Sequence, residues 1–381
     1  MRRLVISNQW CAYLWIDIAN HAVTIYDEVV LLTGQISELN TPLSKSVSVE
    51  FIPPYVRRSL LTRWVSWLRG FVSVVWRLRT QYRNYEVLLS TNPPLATWVP
   101  LFVPNKCSLY VMDLYPEALL MTGMVAKRNP AYWIWRKMNK AAYQRFARTW
   151  VITHGMKDAL EKLQAPRIDV IPLWSANTTK PADTDIAENA FLVRHNLSGK
   201  FLVVYSGNLG KEHDIEVLIE VAKRLRRRES IQFLIIGQGW KYDEIQKEVK
   251  NSELGNVLML PFQDAATFQL VLAAAGLGVV AQSERTASVC IPSKTMNLLA
   301  SEIPILAIAS LESELAKLIA NHKCGITVCP EQPDAAADFI YRLANEPGLV
   351  GMYRRAAKEA ARHFSADNAK RLIDGVYAAN A

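Results

Sequence analysis

Twelve short runs rich in valine, isoleucine and leucine recur along this chain, separated by helix-length segments. Six fall in the first half: RRLVIS (2–7), YDEVVLLTG (26–34), YEVLLST (85–91), CSLYVMD (107–113), TWVIT (149–153) and RIDVIPL (167–173). Six more follow: KFLVVYSG (200–207), IQFLIIG (231–237), NVLMLP (256–261), LGVVA (277–281), IPILAIA (303–309) and GITVCP (325–330). Strands that are apolar almost throughout are buried on both faces, and parallel neighbours need a crossover, usually a helix. The alternation therefore specifies an α/β protein with doubly wound parallel sheets.

At ~100–200 residues per domain, 381 residues make two domains. The polar stretch SANTTKPADTDIAEN (175–189) lacks apolar periodicity and contains proline, so the junction is placed there. The expected layout is a Rossmann-like domain over 1–180, a second over 181–360, and a closing amphipathic helix over 361–381 that packs back on the first. Ligands of such sheets sit beyond the carboxyl ends of the strands, here facing a central cleft.

Formal net charge is +9, and the first 175 residues hold 21 basic and 11 acidic side chains, so the excess belongs to that half. The halves are expected to face different partners. Five cysteines, an odd number with no C-x-x-C, argue against a disulfide framework or zinc site and for a reducing cytoplasm. MRRLVISNQW lacks the long apolar core of a signal peptide, and no apolar run of ~18 residues suggests a membrane span.

Residues 57–83 carry seven arginines and no acid. At ~100° per residue, Leu60, Leu61, Trp64, Leu68, Phe71, Val75 and Leu78 share one helical arc. The arc suits a core-packed helix with a basic solvated face. It equally suits a helix lying on an anionic membrane, where arginine adds attraction and tryptophan favours the interface. No nucleic-acid motif accompanies the charge, and nucleic acid is not expected as a partner.

Two stretches suggest phosphate chemistry. In KFLVVYSGNLGKEHDIEVLIEVAKRL a buried strand runs into Ser206-Gly207-Asn208-Leu209-Gly210, and an amphipathic helix starts near Asp214. Glycines let backbone N–H groups approach an anion, and Lys211 and His213 add donors. A plain βα turn with glycines for close packing explains the same residues. In VCIPSKTMNLLASEIPILA (289–307), Ser293 is a plausible N-cap and Lys294 stands in the first helical turn, unfavourable unless an anion lies near. LIIGQGW (234–240) places Gly-x-Gly after a strand, but Tyr242 replaces the third glycine of a dinucleotide fingerprint.

VVYSGNLGKEHDIEVLIEVAKRL, FLIIGQG, NVLMLPFQD and IPSKTMNLLASEIPILA, in this order and spacing, resemble the C-terminal domain of GT-B glycosyltransferases, closest to family 4 (group 1). LLSTNPPLATWVP, VMDLYPEALLMTGM, VITHGMKDAL and VIPLWSAN resemble the branch that modifies lipid-linked sugars. The resemblance implies that Gly207, Asn208, Gly210 and Lys211 face a donor diphosphate, Pro261 and Phe262 the base, Ser293 and Lys294 the phosphates, and Asn297 the ribose. Val289 and Asn297 stand where the family often carries a Glu-x₇-Glu pair. An asparagine amide can still serve ribose hydroxyls.

Glycosyl transfer needs a stabilised leaving diphosphate, an oriented acceptor hydroxyl and a home for its proton. Asp113, at the end of a predicted strand, is the first candidate for the last two tasks, with Glu117 next; both could instead serve as helix-cap residues. The resemblance implies retention without a metal and no cofactor beyond a nucleotide-sugar, UDP-sugar ahead of GDP-sugar. The expected acceptor is a polyprenyl-diphosphate-linked saccharide of exopolysaccharide, capsule or O-antigen biosynthesis. The enzyme is then cytoplasmic and peripheral to the inner face of the membrane. A soluble acceptor, or a non-catalytic GT-B scaffold, remains open.

Overall fold

The computed structural model describes the chain apart from residues 39–40, 57, 122, 176–188, 211–213 and 381. It divides into two compact units, Met1–Ala176 with Ala366–Ala381, and Asn177–Ser365. The polar junction stretch of the sequence lies, but for its two ends, outside the described residues.

The first unit holds β1 (Arg3–Ser7), β2 (Glu28–Thr33), β3 (Val47–Phe51), β4 (Glu86–Ser90), β5 (Cys107–Val111), β6 (Arg148–Val151) and β7 (Ile168–Val170). They form one sheet in the order β3-β2-β1-β4-β5-β6-β7, parallel throughout. The strand order reverses between β1 and β4. The sequence did not announce β3. Its residues VSVEF line a sheet edge, and only Val47 is buried, so no continuous apolar run marks it.

The helix Asp367–Asn380 closes this unit and packs on the helix Tyr13–Ala22. The Arg2 guanidinium donates to Glu86 at 2.7 Å and to the Tyr377 carbonyl at 2.8 Å, and lies 3.5 Å from the Tyr377 ring centroid. Lys106 donates to the Asn380 carbonyl at 3.0 Å. Leu372, Ile373 and Val376 are fully buried.

The helix Leu60–Thr80 begins at a Ser59–Thr62 capping box. Its inward face is Ser66, Trp67, Gly70, Val74 and Leu78. This corrects the core-packed reading for the first part of the apolar arc: Leu60, Leu61, Trp64 and Leu68 are exposed, as are Val65, Val72 and Trp76, whereas Phe71 and Val75 are half-buried and Leu78 is buried. Gly70 faces inward because the Gln9 side chain fills the space beside it; a Cβ there would lie 2.6 Å from Gln9 Nε2. That amide donates to the carbonyls of Pro53 at 2.7 Å and Ser66 at 2.9 Å.

The second unit holds β8 (Phe201–Ser206), β9 (Ile231–Ile236), β10 (Val257–Leu260), β11 (Ala275–Ala281), β12 (Ile305–Ile308) and β13 (Gly325–Val328). Their order is β10-β9-β8-β11-β12-β13, again all parallel, reversing between β8 and β11. Leu202, Val204, Leu234 and Ile236 enter one core cluster, and Val203, Tyr205, Phe233 and Ile235 another. This two-residue alternation into two cores means that both sheet faces are covered. Among the described residues no helix is long and apolar enough to cross a membrane.

Candidate functional site

Each sheet carries a pocket where its strand order reverses, the place where open α/β sheets bind ligands. In the second unit the pocket holds about 220 Å³ and is lined by Ser206, Gly207, Ser293, Lys294 and Asn297, with Val204, Phe268, Leu272, Val279 and Leu298. Four of the expected donor residues, Gly207, Ser293, Lys294 and Asn297, are thus brought together from two sequence segments 86 positions apart at their nearest.

Glycine contacts set this geometry. Gly237 has φ +154°, and a Cβ there would sit 1.9 Å from the Gly207 carbonyl oxygen. The G-x-G of LIIGQGW therefore lets the loops after β8 and β9 lie side by side, pinned by Gly207 N–H to the Ile236 carbonyl and Leu209 N–H to the Gln238 carbonyl, both at 2.9 Å. A Cβ on Gly207 would come within 2.7 Å of Lys294 Nζ. The helix Lys294–Ala300 is seated by Leu298, which packs where a side chain on Gly278 of β11 would be.

Lys294 is the electrostatic centre of the pocket. Its ammonium lies 4.0 Å from the Tyr205 ring centroid and has no hydrogen-bond partner among the described residues. Burial pulls its pKa down to about 8. The Tyr205 hydroxyl donates to the Asn208 carbonyl at 3.0 Å, so one buried ring supports both the ammonium and the loop. Gln282, at the end of β11, donates to the Cys290 carbonyl at 2.8 Å and steadies the stretch that leads to Ser293.

The remaining donor candidates lie differently. Ser293 occupies the N-cap position, but its side chain makes no capping hydrogen bond, because its backbone is already helical. Asn208 is exposed and Gly210 half-buried on the loop after β8, and neither lines the pocket. Pro261 and Phe262 follow β10, exposed and outside the pocket lining. Lys211 and His213 lie outside the described residues.

In the first unit the pocket is lined by Asn8, Trp10, Ala12, Leu14, Trp15, Tyr55, Trp67, Thr91, Asn92, Met112, Asp113 and Tyr115. The Thr91 hydroxyl accepts the backbone N–H groups of both Met112 and Asp113 at 3.1 Å, which holds Asp113 at the end of β5. The Asp113 residue is exposed as a whole, yet desolvation of its carboxyl by the surrounding protein pushes its pKa up. Glu117 does not line this pocket. It pairs with Arg136 at 3.2 Å, and burial holds its pKa above the ordinary value despite that cation. Gln9 spends its amide donor on the carbonyls of Pro53 and Ser66.

Sequence reasoning missed Tyr205, Trp15, Tyr55 and Trp67. Tyr205 could have been flagged as a tyrosine at the next-to-last position of an aliphatic strand. The other three come from separate segments that only the fold unites. Among the described residues no group of three or more His, Cys, Asp or Glu could hold a metal ion.

Residues 189–364, nearly all of the second unit, match the family model described as glycosyl transferases group 1. This unit is a group 1 glycosyltransferase domain. The chain is 28% identical over 272 residues to the probable glycosyltransferase WbjE of Pseudomonas aeruginosa, covering 69% of this chain and 67% of that one. It is 30% identical over 187 residues to WcaI of Escherichia coli (strain K12), whose name places it in colanic acid biosynthesis, covering 48% of this chain and 45% of that one. Among solved structures, Anabaena Alr3699/HepE in complex with UDP-glucose aligns with a TM-score of 0.71 at 14% identity, over 99% of this chain and 100% of that one. The two parallel-sheet α/β units are those of the GT-B fold.

Proposed function

We propose that this glycosyltransferase moves a sugar from a UDP-sugar to a polyprenyl-diphosphate-linked saccharide in surface-polysaccharide biosynthesis. The observation that carries the donor assignment is Lys294: a buried ammonium without a hydrogen-bond partner among the described residues, beside a glycine loop. A diphosphate supplies the missing acceptors and the countercharge. UDP is favoured over other nucleotides because the HepE complex holds UDP-glucose. The polysaccharide setting is supported by the name of WcaI.

In this reading the acceptor hydroxyl oxygen bonds to the anomeric carbon. The bond from that carbon to the diphosphate oxygen breaks, and its electron pair leaves on UDP. Lys294 and the amides of the β8 loop place positive charge where that negative charge develops, which is the role a metal plays in other transferases. Asn297 serves the ribose hydroxyls. Asp113 orients the acceptor hydroxyl, whose proton passes to the departing phosphate oxygen in a retaining course. Asp113 is preferred to Glu117, which is held by Arg136.

The acceptor class draws support from the Leu60–Thr80 helix. Its exposed Leu60, Leu61, Trp64, Val65, Leu68, Val72 and Trp76 are interleaved with arginines, an arrangement suited to the anionic inner leaflet. Calorimetric titration with UDP, GDP, ADP and CMP tests the donor assignment, and product NMR after incubation with UDP-sugars and a lipid-linked saccharide tests transfer. Selective UDP binding and an α-configured linkage from an α-configured donor are expected. Selective binding of another nucleotide, or an inverted linkage, would overturn the corresponding part.

A further inference from the structure

Tyr205 is fully buried near the end of β8. Successive residues of a strand face opposite sides of its sheet. Val204 lines the second-unit pocket and belongs to the core cluster that also takes Met296, Leu298 and Leu299 of the helix Lys294–Ala300. Tyr205 belongs to the cluster on the other face, with Val203, Ile215 and Leu218. Lys294 therefore starts from a helix on one face of the sheet and ends against a ring of the other. The crossing runs past Gly207, where a Cβ would stand 2.7 Å from Nζ and 3.1 Å from Cε. The ammonium comes to rest 4.0 Å from the ring centroid, and the hydroxyl at the tip of that ring donates to the Asn208 carbonyl at 3.0 Å.

A ring suits this place better than a carboxylate would. The described residues lining the pocket include no acid, and Lys294 is their one charged side chain. The charge that acts on the ring from the helix Ile215–Arg224 is Glu216, whose carboxylate is itself paired with Lys241 at 2.7 Å. A carboxylate against Lys294 would hold the cation, but it would repel a diphosphate and would have to give up its own partner before one could bind. An aromatic face attracts an ammonium through its quadrupole and carries no net charge. It opposes the burial that favours the neutral amine. It also stays in place when a diphosphate arrives, because Tyr205 does not itself line the pocket.

Building on the donor assignment above, we propose that Tyr205 is a positioning residue for the donor diphosphate, acting through Lys294. Its ring holds the charged side chain over the end of β8, and its hydroxyl ties the adjoining Asn208 loop to the same ring. The two parts of one side chain then do separable work. The ring matters only while Lys294 is present, and the hydroxyl matters with or without it.

A double-mutant cycle read by UDP calorimetry at pH 7 tests this. Tyr205→Leu should weaken UDP about tenfold, and Tyr205→Phe, which keeps the ring, about threefold. In the Lys294→Met background Tyr205→Leu should cost no more than Tyr205→Phe, because the ring has lost its cation. A second readout needs no nucleotide: NMR titration of protein carrying lysine labelled with carbon-13 at Cε, with Lys294→Met giving the assignment. Removing the ring removes an attraction that favours the charged form, so the Lys294 midpoint should fall by about one pH unit in Tyr205→Leu. In Tyr205→Phe it should hold within a few tenths of a unit. Tyr205→Met, which fills core gaps more freely, repeats both arms, so that a folding defect of the leucine variant does not decide the result. Equal losses from Tyr205→Leu with and without Lys294, or a Lys294 midpoint unmoved by loss of the ring, would overturn the proposal. Wild-type protein that binds no nucleoside diphosphate would instead sink the donor assignment on which it rests, whatever the lysine titration shows.

Discussion

Lys294 sets folding stability against ligand binding. Its pKa is about 8 in the folded protein against an ordinary 10.5, so the unfolded chain binds more protons between those values. Stability therefore rises with pH through that window, and below pH 8 the buried ammonium carries its full penalty, at most about 3.5 kcal/mol at ~1.4 kcal/mol per unit. Replacing it with an apolar side chain of similar length should stabilise the unliganded protein and harm binding. Lys294→Met is expected to raise the thermal midpoint at pH 7 by a few degrees and to weaken UDP at least tenfold in calorimetry. A lower midpoint with unchanged UDP affinity would refute both halves. In the wild type, UDP affinity should fall as pH rises above 8, because the diphosphate prefers the protonated lysine, and this slope should vanish in Lys294→Met. Lys294 was legible in the sequence as a cation in a Pro-Ser-Lys helix start. Tyr205, which supports it, was not, since a strand tyrosine reads equally well as core.

The elements around the donor pocket depend on close backbone approach. Gly237→Ala forces a Cβ toward the Gly207 carbonyl at a φ that only glycine adopts easily, so the β8 and β9 loops must part. A loss of ~2–3 kcal/mol in denaturant melts and a UDP affinity too weak to titrate are expected. The Leu60–Thr80 helix makes an independent prediction. Leu61→Glu with Leu68→Glu alters only exposed positions, so the thermal midpoint should hold within a degree or two while pelleting with phosphatidylglycerol vesicles drops severalfold. Equal pelleting of variant and wild type would remove the helix from the membrane account. The sequence showed this helix and its apolar arc but not which face turns inward. Trp67 and Val74 make a second apolar face that meets the arc at Leu78, and the small Ser66 and Gly70 beside them fit against Gln9. Hydropathy alone does not rank two such faces. Strand β3 escaped for the converse reason, being an edge strand with a half-exposed pattern.

At the scale of the whole molecule, the twelve apolar runs foretold both parallel sheets, and the reversal of strand order in each explains why a pocket lies at β1/β4 and at β8/β11. What could not be read was the company each pocket keeps, because Trp15, Tyr55, Trp67 and Tyr115 converge from separate loops and helices. The helix Asp367–Asn380 is last in the chain yet belongs to the first unit, held through Arg2, Lys106 and its buried leucine, isoleucine and valine. Truncation after Ser365 should raise hydrogen exchange across β1, β4 and β5 and leave β8, β9 and β11 protected; uniform loss in both units would contradict the division. The donor claim is tested most directly by a crystal structure with UDP bound. The account predicts diphosphate oxygens ~2.7–3.0 Å from Lys294 Nζ, beside Gly207, with Asn297 on the ribose. A nucleotide seated elsewhere, with Lys294 still resting unpaired against the Tyr205 ring, would contradict it.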